Sequence, residues 1–258
     1  MKDGTFVTLG DQQLSGLADF VETTGLKKGA ADEENKIELP LSNAMVLDAI
    51  AREDEGLRLE RSKSFRRVVR DIKSPQDADV EADVPKSLEK VLRDYQVTGF
   101  NWLSSLAHYG LGGILADDMG LGKTLQVLAF LLANRDGRRS PSLVVAPTSL
   151  VYNWLDEAER FTPELKAKVI VGTKAERKQL LAASGTECDV LITTYNMLRR
   201  DIDLYKERTF RYVFLDEAQH IKNPSTQAAR AVKQLKASNY FALTGTPIEN
   251  TLTELCSI

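Results

Sequence analysis

The chain has 258 residues, enough for one large or two small domains, and a hydrophobic content of 43% that supports a packed core. No apolar run approaches the roughly 18–20 residues of a membrane-spanning helix, the first residues carry no secretory core, and two cysteines, Cys188 and Cys256, are too few for a disulfide framework or a Cys-rich zinc site. Both cysteines are expected to be buried packing residues. A net charge of −3 excludes a chain that is basic throughout, so any contact with nucleic acid has to come from local motifs.

Residues 1–85 read as a smaller, mainly helical segment. A short strand is expected over 5–9 and a helix over 14–21 with Gly25 as its C-cap, followed by a charged loop. A helix over 41–52 follows Pro40. Another over 62–72 carries Phe65, Val68, Val69 and Ile72 on one side and Arg61, Lys63, Arg66, Arg67 and Arg70 on the other. That basic side is either a phosphate-binding face or a solvated one, and charge runs are usually the latter. The acidic, polar stretch 74–85 is the expected linker.

From Leu88 onward the pattern alternates helix and strand. A helix over 92–108 ends at Gly110, Gly112 and Gly113, and a short apolar run, 113–116, leads into Asp117-Asp118-Met119-Gly120-Leu121-Gly122-Lys123-Thr124. A helix follows, ending near 134–137; a strand spans 142–146; Thr148 is placed to cap a helix running to 161. Strands over 167–171, 189–193, 211–215 and 240–244 alternate with helices over 174–183 and 226–235 and a helical turn at Met197-Leu198. This alternation predicts an α/β fold, a parallel sheet flanked by helices. Ligands of such sheets bind at the carboxyl ends of the strands, where Asp117, Pro147, Thr194, Asp216 and Gly245 fall.

Three motifs carry chemistry. The first is strand, glycine-bearing loop, Lys-Thr and helix, the layout of a phosphate-binding loop, although Asp117 stands where the general pattern has its first glycine. Unpaired N–H groups at the helix start and the helix dipole favour a polyphosphate; Lys123 adds a mobile positive charge and Thr124 a hydroxyl for Mg²⁺. The second is Asp216-Glu217-Ala218-Gln219-His220, two adjacent carboxylates ending an apolar strand 93 residues after Lys123. Alone, such a pair reads as a solvated helix start; together with the loop, one carboxylate suits Mg²⁺ and the other suits deprotonation of an attacking water. The third is Leu243-Thr244-Gly245-Thr246-Pro247-Ile248-Glu249-Asn250, whose hydroxyls at Thr244 and Thr246 are placed to sense a γ-phosphate, although an ordinary turn before a helix accounts for it equally well. Trp102 and Trp154 read as core anchors rather than base-stackers, and His108 as a surface or packing residue.

These motifs, with Leu92-Arg93-Asp94-Tyr95-Gln96, Gly99 and Trp102, with Val144 to Leu150 and Asn153-Trp154, and with Leu191-Ile192-Thr193-Thr194-Tyr195, stand in one order over about residues 88–256. In that order they resemble the first ATPase lobe of the Swi/Snf-type DNA translocases of helicase superfamily two, with wording most similar to bacterial members. An Asp at position 117 is normal there; Cys256 stands where the family more often has Trp.

The resemblance implies a RecA-like lobe over 86–258, preceded by the tail of a bacterial accessory domain over 1–85. It implies ATP and Mg²⁺ as cofactors, a DNA-dependent ATP hydrolase, and a motor that tracks on double-stranded DNA without separating its strands. Gln96, helped by Arg93, would read the adenine. Asp118, Met119, Gly120, Leu121, Gly122, Lys123 and Thr124 would bind phosphates. Thr124 and Asp216 would hold Mg²⁺, and Glu217 would be the base. Gln219, His220, Thr244, Gly245 and Thr246 would couple hydrolysis to movement, and Pro147, Thr148, Thr193, Thr194 and Tyr195 would lie against a DNA strand.

The chain is expected to be an interior segment of a longer protein, lacking the second lobe whose arginines complete the site. Arginines of that kind are worth about 10³–10⁵ in rate for related phosphoryl transfer, so the isolated chain is expected to bind ATP weakly and hydrolyse it barely. A bacterial cytoplasmic, nucleoid-associated location follows, with RNA polymerase or another DNA-bound complex as the expected kind of protein partner. The rival from another class is a nucleotide-dependent interaction module without turnover. A small-metabolite kinase is poorly served by the third motif.

Overall fold

The structure, a computed structural model, describes residues 48–49, 62–74, 82–118, 120–135 and 140–245. The expected strand at 5–9, the helix at 14–21, the Gly25 cap, nearly all of the helix at 41–52, Met119, Thr246 and Cys256 lie outside the described residues. The chain divides between Ala78 and Asp79 into two compact units.

Within the first unit, helix α1 spans Lys63–Lys73. Ser62 caps it, its hydroxyl accepting from the Phe65 N–H, and Arg70 and Lys73 lie in the last turn where the helix dipole favours positive charge. Val68 and Val69 are buried, and the Asp71 carboxylate is buried under Arg67 and Arg70. Lys73 pairs with Asp48 at 2.7 Å. Part of the basic side is thus spent on internal carboxylates.

The second unit is built on six strands, β1 Gly113–Leu115, β2 Ser142–Ala146, β3 Ala167–Val169, β4 Val190–Thr194, β5 Thr209–Asp216 and β6 Lys236–Leu243. They form one sheet in the order β1-β6-β5-β2-β4-β3, with every pairing parallel. The helices are α2 Asp94–His108, α3 Lys123–Ala133, α4 Val151–Phe161, α5 Lys174–Glu187, α6 Tyr195–Arg200, α7 Ile202–Tyr205 and α8 Gln227–Val232, with a 3₁₀ turn at Ala218–Ile221. This is the parallel α/β sheet flanked by helices that the alternation predicted, and it matches the RecA-like lobe that the resemblance implied.

Both faces of the sheet are covered, which is why the central strands read as apolar runs. Successive side chains on a strand point to opposite faces. On β5, Tyr212 and Phe214 meet Phe130 of α3, with ring centroids 4.8 and 5.9 Å away, and Phe241 of β6 joins them. Val213 and Leu215 point the other way, into a core shared with Tyr195 and Leu198 of α6 and with Ala229 and Val232 of α8. Phe130 is fully buried, and burial of such a ring stabilises by about 1.5–3 kcal/mol. Helix α2 packs on α3 through Gly99, where a Cβ would lie 1.8 Å from the Gln126 Oε1, so a larger residue there would have to displace the Gln126 amide.

Several boundaries differ from expectation. Thr148 lies in a turn closed by the Leu150 N–H on the Pro147 carbonyl, and α4 begins only at Val151, so Thr148 does not cap it. Helix α5 runs on to Glu187, anchored by a capping box between Thr173 and Glu176. Strand β6 starts four residues early, at Lys236, because the polar residues before Tyr240 also pair with β5. Cys188 is half-buried rather than fully buried; its single S–H lies within reach of the carbonyls of Lys166 and Val190. No helix among the described residues is long and apolar enough to cross a membrane.

Candidate nucleotide site

Register places the strand ends side by side. Leu115 of β1 pairs with Leu243 of β6, Leu243 with Asp216 of β5, Leu215 with Val145 of β2, and Ala146 with Thr194 of β4. The loops after these strands therefore line one edge of the sheet, with neighbours about 4.8 Å apart. In spatial order they hold the glycine loop, Thr244, Asp216-Glu217, Pro147-Thr148 and Thr194-Tyr195.

The glycine loop turns through two left-handed residues, Gly120 at φ 82° and Gly122 at φ 74°, a conformation costing a side-chain-bearing residue roughly 1–2 kcal/mol. Gly122 is the N-cap of α3, and the first intrahelical bond is from the Gln126 N–H to the Gly122 carbonyl. The N–H groups of Lys123, Thr124 and Leu125 therefore have no partner within the helix, the arrangement that favours an anion. The Lys123 Nζ donates to the carbonyls of Asp117 and Asp118, at 2.7 and 3.1 Å, which holds its charge over the loop.

Two glutamines brace this loop. The Gln96 amide donates to the Leu121 carbonyl at 3.1 Å and accepts from the Arg93 N–H at 3.0 Å, tying the start of α2 to the loop. Gln96 is buried, and a Cβ on Gly122 would fall 2.4 Å from its nitrogen. Arg93 is exposed beside it. Gln126, fully buried on α3, donates to the Asp117 carboxylate at 2.9 Å. Sequence reasoning missed Gln126; only its polarity inside an apolar helix marked it.

Asp216 ends β5 and is 7% exposed, so the reading of the Asp-Glu pair as a solvated helix start does not hold. Burial pushes its carboxyl above the ordinary range, against the Trp154 hydrogen bond and the Lys123 charge, which pull it down. Its Oδ2 accepts from the Trp154 indole N–H at 2.8 Å and its Oδ1 from the Glu217 N–H at 3.0 Å. Each oxygen keeps a lone pair. Glu157 of α4 is also raised, by burial and then by the Asp216 charge.

Glu217 sits at φ 49°, a strained backbone for a residue with a side chain, which turns it out of the strand line. Its Oε2 accepts from the Gln219 amide at 2.7 Å, and the Gln219 Oε1 accepts from the Thr244 hydroxyl at 3.0 Å. The second and third motifs are thus joined side chain to side chain. Thr244 is fully buried, and its hydroxyl reaches Gln219.

The residues expected to face DNA differ in exposure. Thr148 is exposed and Pro147 half-buried. Thr193, Thr194 and Tyr195 are buried and committed inward. The Thr193 hydroxyl meets the Tyr205 hydroxyl, Thr194 caps α6 by accepting from the Met197 N–H, and the Tyr195 hydroxyl donates to the Asp216 carbonyl. Their hydroxyls are bonded within the fold. His220 is exposed, with its ring 5.7 Å from that of Tyr195, and Gly245 is half-buried. His108 is exposed, and Trp102 packs on Gly113.

The SNF2-related domain matches residues 95–258, and the bacterial SNF2 helicase-associated domain matches residues 1–83. The chain belongs to the SNF2-related family. It is 39% identical to YwqA of Bacillus subtilis over 79% of this chain and 22% of that protein. It is 33% identical to an uncharacterized ATP-dependent helicase of Mycoplasma genitalium over 99% of this chain and 24% of that one. A solved structure, the Sulfolobus solfataricus SWI2/SNF2 ATPase core in complex with dsDNA, superposes with a TM-score of 0.61 at 40% identity, covering 69% of this chain and 36% of that one. The chain thus spans under a quarter of the length of these curated relatives.

Proposed function

We propose that this chain is the nucleotide-binding lobe of a motor that hydrolyses ATP to move on double-stranded DNA, the SNF2-associated segment being an accessory to it. The observation that carries this reading is the convergence on one sheet edge of Lys123, the Asp216-Glu217 pair and the bridge from Glu217 through Gln219 to Thr244.

In this reading the free N–H groups at the start of α3 and the Lys123 ammonium cradle the phosphates. Thr124 and Asp216 would hold Mg²⁺, which when bound neutralises charge on the phosphate oxygens. The donor set suits that ion. The Asp216 carboxylate accepts one hydrogen bond on each oxygen and keeps a lone pair on each, and Mg²⁺ is ordinarily held by one or two carboxylates with phosphates and water. Glu217 takes the proton of the attacking water, while Gln219 keeps the carboxylate aimed and senses its charge. A change at Glu217 reaches Thr244, and through it the segment after β6.

Gln96, braced beside the loop, would read the adenine, with Arg93 next to it. The Pro147-Thr148 turn, exposed at Thr148, is the segment offered to a DNA backbone, contacts that position without reading bases. The DNA complex of the archaeal relative supports duplex DNA as the track.

Steady-state ATP hydrolysis by the intact protein, with and without duplex DNA, tests the proposal. Turnover is expected to reach the order of 1 s⁻¹ or more on DNA and to fall well below that without it. Equal rates in both conditions would remove DNA from the account. Nucleotide binding with no turnover in either would favour an interaction module.

A further inference from the structure

The side chain that fixes the metal-facing carboxylate comes from α4, outside the glycine loop and the Asp-Glu motif. Trp154 is 1% exposed and among the largest fully buried side chains of the protein. A buried indole N–H needs an acceptor. That acceptor is the Asp216 Oδ2, 2.8 Å away and 62 residues further along the chain. The other Asp216 oxygen is held by the Glu217 N–H, and the Asp216 carbonyl by the Tyr195 hydroxyl at 2.9 Å. Asp216 is therefore pinned at three atoms, and among the described residues the Trp154 bond is the one that sets the rotation of its carboxylate from outside its own loop.

We propose that Trp154 is a positioning residue for Asp216, turning the carboxylate so that its free lone pairs face the Mg²⁺ that accompanies the nucleotide. This rests on the reading of Asp216 as the metal-facing carboxylate. Removing the outer partner of a ligating carboxylate ordinarily costs 10- to 100-fold in metal affinity or activity. A packing role alone would change stability and leave the metal requirement as it was.

The test is binding of a fluorescent ATP analogue, N-methylanthraniloyl-ATP, to the intact protein while MgCl₂ is titrated. Two replacements are compared. Trp154→Phe removes the N–H and part of the ring. Benzothienylalanine at position 154 keeps the fused ring and removes only the donor, so the question stays answerable if the Phe variant does not fold. Trp102→Phe, at a tryptophan packed on Gly113, is the control. The expected result is a Mg²⁺ half-saturation raised roughly 10- to 100-fold in the position-154 variants, with metal-free binding in EDTA and the Trp102→Phe protein unchanged. A folded position-154 variant with the wild-type Mg²⁺ midpoint overturns the proposal. Wild-type binding that ignores Mg²⁺ altogether overturns the underlying reading of Asp216, a result separable from the first because it appears without any substitution.

Discussion

Glu217→Gln in the intact protein is expected to lower the ATP turnover rate by about 10²–10⁴, the usual contribution of a positioned general base, while nucleotide affinity stays within a few-fold of wild type. The substitution is nearly isosteric. The new amide oxygen can still accept from the Gln219 amide, so the bridge to Thr244 survives. The strained backbone at φ 49° is asked of a side chain of the same shape. What is lost is the ability to take a proton. Single-turnover hydrolysis and nucleotide binding, measured on the same preparation, separate the two effects. Loss of both together would mean that Glu217 serves the fold.

Lys123→Ala is expected to weaken ATP binding by roughly 10- to 100-fold, the size of a hydrogen bond to a charged group, and to slow hydrolysis of whatever ATP still binds. The nucleotide-free protein should keep its melting temperature closely. Lys123 is half-buried, and its partners are the carbonyls of Asp117 and Asp118, which water can reach when the ammonium is gone. The observable is the upward shift in melting temperature that ATP produces, since a ligand of the native state stabilises by RT ln(1 + L/Kd), where L is the free ligand concentration. That shift should shrink strongly in the variant. An unaltered shift would place the phosphates away from this lysine.

The sheet and its chemical edge were legible in the sequence for a physical reason. Strands buried on both faces must be apolar throughout, so 142–146 read off with the bounds the structure gives it. The early part of β6 did not, because Lys236 and Ser238 are exposed and carry no apolar signal. Motif positions were legible because phosphate chemistry demands glycine, lysine and paired carboxylates at strand ends. What their side chains touch was not. A threonine hydroxyl suits a DNA phosphate and an internal bond equally well, and Thr193 and Thr194 turned out to make the latter. Trp154 read as a core anchor, which it is, but nothing local shows an indole reaching a carboxylate 62 residues away. The buried pairing of Arg177 with Asp201, joining α5 to the residue between α6 and α7, was equally invisible, since both residue types are usually on the surface.

The central claim is movement on duplex DNA driven by this site, and triplex displacement measures it most directly. The intact protein is given a duplex carrying a hybridised third strand, with ATP and Mg²⁺. Release of the third strand is expected in the wild type, with the duplex left paired and with no release by Glu217→Gln. Turnover stimulated by DNA without any release, or separation of the duplex itself, would contradict a motor that tracks along double-stranded DNA.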